Sequence, residues 1–96
     1  MIEIRSTEQY TRWYDRLRDH EAQSRILIRL RRLSLGSFGD VAPVGEGVSE
    51  LRIHYGPGYR VYFVQRHGQI VILLGGGDKS TQGKDIMAAK ALASTV

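Results

Sequence analysis

Along the chain the spacing of apolar residues changes period several times, and each change marks an element. Ile2 to Arg5 alternates apolar and polar, which predicts a short first strand. Ser6 or Thr7 then offers a helix N-cap, with Glu8 placed near the positive end of the helix dipole. Tyr10, Trp13, Tyr14 and Leu17 follow at i, i+3, i+4 and i+7, one face of a helix. A second helix is expected from about Glu21 to Leu35, with Ala22, Ile26, Leu30 and Leu33 as its inner stripe and Gly36 as its C-cap. Arg25, Arg29 and Arg32 form a separate stripe on that helix.

Residues 36–47 hold Gly36, Gly39, Pro43, Gly45 and Gly47 and read as a loop crossing from helices to sheet. Three strands are expected at 48–55, 59–66 and 69–75, broken by Gly56-Pro57-Gly58 and by His67-Gly68. Past Gly75-Gly76-Gly77, Thr81 to Ser94 reads as a closing helix. With no repeat and no linker, residues 1–96 make one α+β domain. Its order is β-α-α-β-β-β-α, a mostly antiparallel sheet with two N-terminal helices on one face and a C-terminal helix.

Residues opposite each other in a ladder share a face, so turn length sets the register. A three-residue Gly56–Gly58 loop pairs Tyr55 with Tyr59, Ile53 with Val61 and Leu51 with Phe63. The other face then pairs His54 with Arg60 and Arg52 with Tyr62. A two-residue His67-Gly68 turn pairs Phe63 with Ile72 and Val61 with Leu74, and sets Leu73 beside Tyr62 and Val71 beside Val64. The expected result is one dry face for the helices. The other is a concavity of Arg52, His54, Arg60 and Tyr62 with Val64, Val71 and Leu73 as an apolar border, covered in part by the last helix or by a partner.

Composition narrows the class. Apolar residues are 42% and charged residues 25% of the chain, which excludes a disordered tail or a low-complexity linker. The absence of cysteine excludes disulfides and Cys-based zinc sites. The longest apolar run, Ile70 to Leu74, falls far short of the roughly 20 residues a membrane helix needs. Residues 1–20 lack a signal-peptide core, so a cytoplasmic protein is expected. Lys and Arg total 14 against 10 acids, and residues 5–32 carry eight of the arginines, a footprint suited to nucleic acid or an acidic partner and equally to a solvated helix face.

The run Glu50-Leu51-Arg52-Ile53-His54-Tyr55-Gly56-Pro57-Gly58-Tyr59-Arg60-Val61-Tyr62-Phe63 resembles the RelE/ParE toxin superfamily, in particular its HigB-like branch of addiction module killer proteins. Leu73 to Gln82, Asp85-Ile86, Arg29 to Leu33 and Gly36 to Asp40 extend the resemblance over nearly the whole chain. The resemblance implies the toxin of a type II toxin–antitoxin pair, a ribosome-dependent mRNA endonuclease that needs neither metal nor other cofactor. Implied partners are a helix-turn-helix antitoxin, the 70S ribosome and mRNA in the A site, with operator DNA reached only through the antitoxin. Two related readings remain: a ParE-like poison of DNA gyrase, and a catalytically degenerate protein that only binds its antitoxin.

By matching positions, the resemblance makes Arg60 the grip on the scissile phosphate and Arg52 a general base or RNA anchor. Lys79 becomes the cation for the transition state. The sequence departs from the RelE pattern at Glu50, where a lysine is found, and near Asp85, where a late tyrosine is found. Each residue also has a plainer reading. Arg60 pairs with Glu50, Arg52 lies on Tyr62, and Lys79 is a solvated loop charge. Tyr62 stacks on an RNA base or packs on the final helix. His54, opposite Arg60, is the candidate to take the 2′-hydroxyl proton, whereas His20 and His67 read as linker and turn residues. An antitoxin is expected to cover Tyr62, Val64, Val71 and Leu73. The glycines before Asp78-Lys79-Ser80 lack the phosphate-loop spacing and allow close approach by RNA or a partner chain.

Overall fold

The computed structural model describes residues 1–96. Nine elements follow one another: β1 (Glu3–Ser6), α1 (Glu8–Asp15), α2 (His20–Ser34), β2 (Val41–Gly45), β3 (Val48–Ile53), β4 (Tyr59–Arg66), β5 (Ile70–Gly77), a 3-10 turn (Lys79–Thr81) and α3 (Gln82–Ala93). The sheet order is β1-β5-β4-β3-β2, with β1 parallel to β5 and every other neighbour antiparallel. The fold class is the α+β arrangement expected, with one more strand.

Local chemistry sets the helix ends. The Thr7 hydroxyl accepts from the Tyr10 amide at 3.2 Å and donates to the Leu73 carbonyl at 2.7 Å, so the cap of α1 is also its tie to β5. Asp19 caps α2 by accepting from the Glu21 and Ala22 amides at 3.0 and 3.2 Å. The α2 stripe of Ala22, Ile26, Leu30 and Leu33 is buried. With Tyr10 it packs on Leu51, Ile53, Val61, Phe63, Val71 and Leu73, the core under α1 and α2. On the opposite face, Ala89 and Ala93 of α3 pack against Val48, Tyr62, Val64 and Leu74. Helices therefore cover both faces of the sheet.

Three expectations are corrected. The segment 36–47 is not all loop: Val41–Gly45 is an edge strand on β3, where Pro43 is tolerated because its missing N–H faces outward. Glu46 and Gly47 both have positive φ, the backbone of a tight hairpin turn. In the β3–β4 hairpin the ladder stops at Ile53 and Tyr59, leaving His54 to Gly58 as the turn. The Tyr55 hydroxyl donates to the Asp19 carboxylate at 2.8 Å, which draws that end of the chain away from β4. The register slips by two residues, so the faces are as expected but the partners are not: Arg52 faces Arg60, and Glu50 faces Tyr62.

The third correction reverses faces. Arg66 pairs with Ile70, so the β4–β5 turn is one residue longer than expected and Phe63 lies opposite Leu73. A bulge between Tyr62 and Phe63 then sets Tyr62 opposite Gly75 and Arg60 opposite Gly77. Val71 and Leu73 consequently belong to the α1–α2 core. Neither RNA nor a partner chain is what approaches two of the glycines. A methyl at Gly76 would run into the Trp13 ring, and one at Gly77 would meet the Asp85 carboxylate. Gly75 faces open space.

Gly76→Ala is expected to cost roughly 1–3 kcal/mol of stability through overpacking against Trp13. Gly75→Ala is expected to stay within about 0.5 kcal/mol. Urea unfolding of both variants checks the contrast.

Candidate functional site

The two-residue period of a strand puts Glu50 and Arg52 on the α3 face of β3, and Arg60 and Tyr62 on the same face of β4. Register then sets two arginines directly opposite each other, an arrangement that repels unless an anion intervenes. Glu50 supplies it. Its Oε2 accepts from Arg52 Nε at 2.9 Å, its Oε1 accepts from Gln82 Nε2 at 3.0 Å, and Oε1 lies 3.9 Å from Arg60 Nε. The carboxylate is only 1% exposed.

Arg60 is 7% exposed, and its Nε has no hydrogen-bond partner. The Tyr62 hydroxyl, two residues on, is likewise buried and unpartnered. Burial pushes the Tyr62 phenol up to about 12, and the Glu50 and Asp85 carboxylates add to the shift. Arg52 is held still more firmly protonated, chiefly by its hydrogen bond to Glu50.

Two turns close over this end of the sheet. Lys79, exposed, lays its stem along the β3–β4 turn, where a methyl at Gly58 would lie 3.1 Å from its Cγ and Cε. Asp78 caps the turn that carries Lys79 by accepting from the Ser80 amide at 2.8 Å, and hydrogen bonds from Ser80 hold its carboxyl below the usual range. On the other side, the Asp40 carboxylate takes His54 Nε2 on Oδ2 and lies 3.8 Å from Arg52 Nη1 through Oδ1. The His54 bond, with help from Arg52, holds Asp40 below the usual carboxylate range. A continuous chain of polar contacts results: His54, Asp40, Arg52, Glu50 and Gln82, with Arg60 beside Glu50. No group of three or more His, Asp or Glu side chains is placed to hold a metal ion.

Beyond His54 an open cleft of about 460 Å³ runs between α2 and the end of β3, lined in part by Arg25, Arg29, Arg32 and Ile28. The arginine stripe is partly committed. Arg25 pairs with Glu21 at 3.0 Å and lies over the Tyr55 ring at 4.6 Å, while Arg29 donates to backbone carbonyls of Phe38 and Asp40 at 3.3 Å and to that of Arg52.

Arg52, Arg60 and Lys79 thus share one end of the sheet, with Arg60 beneath the surface. His54 is not opposite Arg60; it stands past the ladder, its side chain 73% exposed, on Asp40. Arg52 spends its charge on Glu50 and Asp40. Tyr62, Val64, Val71 and Leu73 form no accessible border: all four are buried by the chain's own helices, Tyr62 and Val64 under α3 and Val71 and Leu73 under α1 and α2. As folded, Tyr62 offers no ring to a base. The plainer reading of Arg60, a pair with Glu50, is found at 3.9 Å, though beneath the surface. Gln82 and Asp40 are the site members the sequence reading did not assemble, and nothing local marks them.

Residues 12–94 match the family model described as phage derived protein Gp49-like (DUF891). An uncharacterized protein of Haemophilus influenzae is 49% identical over 92 residues, covering 96% of this chain and 93% of that one.

Glu50→Ala leaves Arg60 buried without a counter-charge and is expected to destabilise by about 3–5 kcal/mol. Tyr62→Phe removes a hydroxyl that has no partner and is expected to be neutral or stabilising by up to about 1 kcal/mol. Denaturant midpoints at matched m-values decide both.

Proposed function

Because the chain belongs to the phage-derived Gp49-like family, which is toxin–antitoxin-related, we propose that it is the toxin of a type II pair and that it cleaves mRNA on the ribosome. The observation that carries this reading is the buried Arg60, whose Nε has no hydrogen-bond partner because the neighbouring Glu50 carboxylate, 3.9 Å away, accepts from Arg52 and Gln82 instead. Glu50 and Asp40 together offset Arg52 and Arg60 in formal charge, and Lys79 at the rim has no carboxylate against it. Such fixed, partly desolvated cations are suited to a phosphate whose charge grows during reaction.

RNA supplies its own nucleophile. In the proposed step the 2′-oxygen bonds to the adjacent phosphorus and the bond from phosphorus to the 5′-oxygen breaks. The 2′-hydroxyl proton passes to the His54 imidazole, and the departing 5′-oxygen takes a proton from water. The products are a 2′,3′-cyclic phosphate and a 5′-hydroxyl end. Arg52 and Lys79 hold the phosphoryl oxygens from the surface, and Arg60 stabilises them from below. Histidine suits the acceptor role because its type trades protons near neutral pH, which arginine and lysine do poorly.

The family implies an antitoxin partner. In this reading it is a helix-turn-helix protein, and the other partners are the 70S ribosome and A-site mRNA in the cytoplasm. No helix is long and apolar enough to cross a membrane.

On brief induction, 5′-end mapping of total mRNA is expected to show new ends inside translated frames that vanish when translation is blocked. Arg60→Ala is expected to lower cleavage by about 100-fold or more, with folding checked by circular dichroism. Lys79→Ala, an exposed change, is expected to cost about 10-fold without altering stability. Arrested growth with intact messages would overturn the reading, and gyrase-linked DNA breaks would replace it with gyrase poisoning.

A further inference from the structure

We propose that Asp40 is a positioning residue of this site: its carboxylate fixes the His54 imidazole as the Nε2-protonated tautomer, leaving Nδ1 free to accept the 2′-hydroxyl proton. The inference rests on the ribonuclease reading and supplies what that reading lacks, a reason for an exposed histidine to hold one orientation.

His54 follows the last ladder residue of β3, and its side chain is 73% exposed, so neither sheet nor core orients the ring. The one group holding it is Asp40, whose Oδ2 meets His54 Nε2. An ionised carboxylate only accepts, so in the neutral imidazole Nε2 carries the hydrogen and the lone pair falls to Nδ1. A base held by a second, orienting acid is the recurrent arrangement for moving a proton off a hydroxyl.

Asp40 is itself fastened, which separates this contact from a casual surface pair. The Arg52 amide donates to the Asp40 carbonyl at 3.0 Å. Arg29 reaches from α2 to the carbonyls of Phe38 and Asp40, each at 3.3 Å, and to that of Arg52. Its guanidinium also packs on Gly39, where φ is +70° and a methyl would come within 2.9 Å of Nη2. The segment bearing Asp40 is thereby stitched to the end of β3. Through its other oxygen Asp40 lies 3.8 Å from Arg52 Nη1, so one carboxylate sets the spacing between the proton acceptor and a phosphate-binding cation.

The test pairs a spectrum with a rate, using the full chain and programmed ribosomes. The chain has three histidines, and in long-range proton–nitrogen spectra of histidine-labelled protein the His54 signals are those lost in His54→Gln. Wild type is expected to show the Nε2-protonated form, and Asp40→Ala a mixture of tautomers. In single-turnover cleavage His54→Gln is expected to lose about 100-fold and Asp40→Ala about 10-fold, in rate rather than in KM. The double variant is expected to be no slower than His54→Gln, with Asp40→Glu recovering part of the loss. Identical His54 spectra in wild type and Asp40→Ala, or additive losses in the double variant, would overturn the proposal. Wild-type cleavage by His54→Gln would do so as well. A wild-type chain that cuts no RNA removes the ribonuclease reading and this role with it, whereas cleavage with unchanged spectra removes the role of Asp40 alone.

Discussion

One buried carboxylate reconciles this fold with its charge. Register sets Arg52 opposite Arg60, and Glu50 sits beside both, bonded to Arg52 and to Gln82. Burying Glu50 and Arg60 costs desolvation, which their mutual attraction offsets only when the geometry is good. Here Glu50 accepts from Arg52 and Gln82, and Arg60, 3.9 Å away, keeps an unpartnered Nε. A buried guanidinium held in this way adds little to stability and is well suited to holding a phosphate.

The same carboxylate ties the last helix down. Gln82 at the start of α3 donates to Glu50, and at its other end Arg66 of β4 donates to the Ala93 carbonyl at 3.0 Å and to that of Val96 at 3.2 Å. A cation on the terminal carbonyls also complements the helix dipole. Between these two ties the helix rests on Tyr62, Val64 and Leu74 through Ala89 and Ala93, side chains small enough to bring it close to the sheet. The face of β4 therefore changes character along its length, charged at Arg60 and apolar by Val64, and α3 follows that gradient. The helix seals Tyr62 and Val64, the part of the expected apolar border that lies on its face of the sheet.

The charged line continues past the sheet through contacts between distant parts of the chain. Asp19 caps α2 and captures Tyr55, which shortens the β3–β4 ladder and frees His54. Arg29, on the arginine stripe of α2, fastens the Asp40 segment on which His54 then rests. Residues that look like surface charge in α2 thus shape the end of β3 opposite them. Arg25 and Arg29 of the basic stripe hold structure even as they line the open cleft together with Arg32.

Periodicity determined α1, α2 with its apolar stripe, and a short β1 with three of the four strands after it, because side-chain direction within one element depends only on the period. Composition marked α3, and the odd number of residues in the β3–β4 turn put Arg52 on one face with Arg60 and Tyr62. Periodicity missed β2, because glycines and Pro43 resemble a loop until an edge partner is present. Tertiary structure decided the registers, since turn length depends on long-range contacts such as Tyr55 with Asp19. A two-residue slip in the first hairpin kept every face, while a one-residue change in the second turned Val71 and Leu73 inward. The candidate cations were legible in the sequence. So was the pair of Arg60 with Glu50, whereas Gln82 and Asp40 emerged only on folding, because a contact between residues far apart along the chain leaves no periodic trace in it.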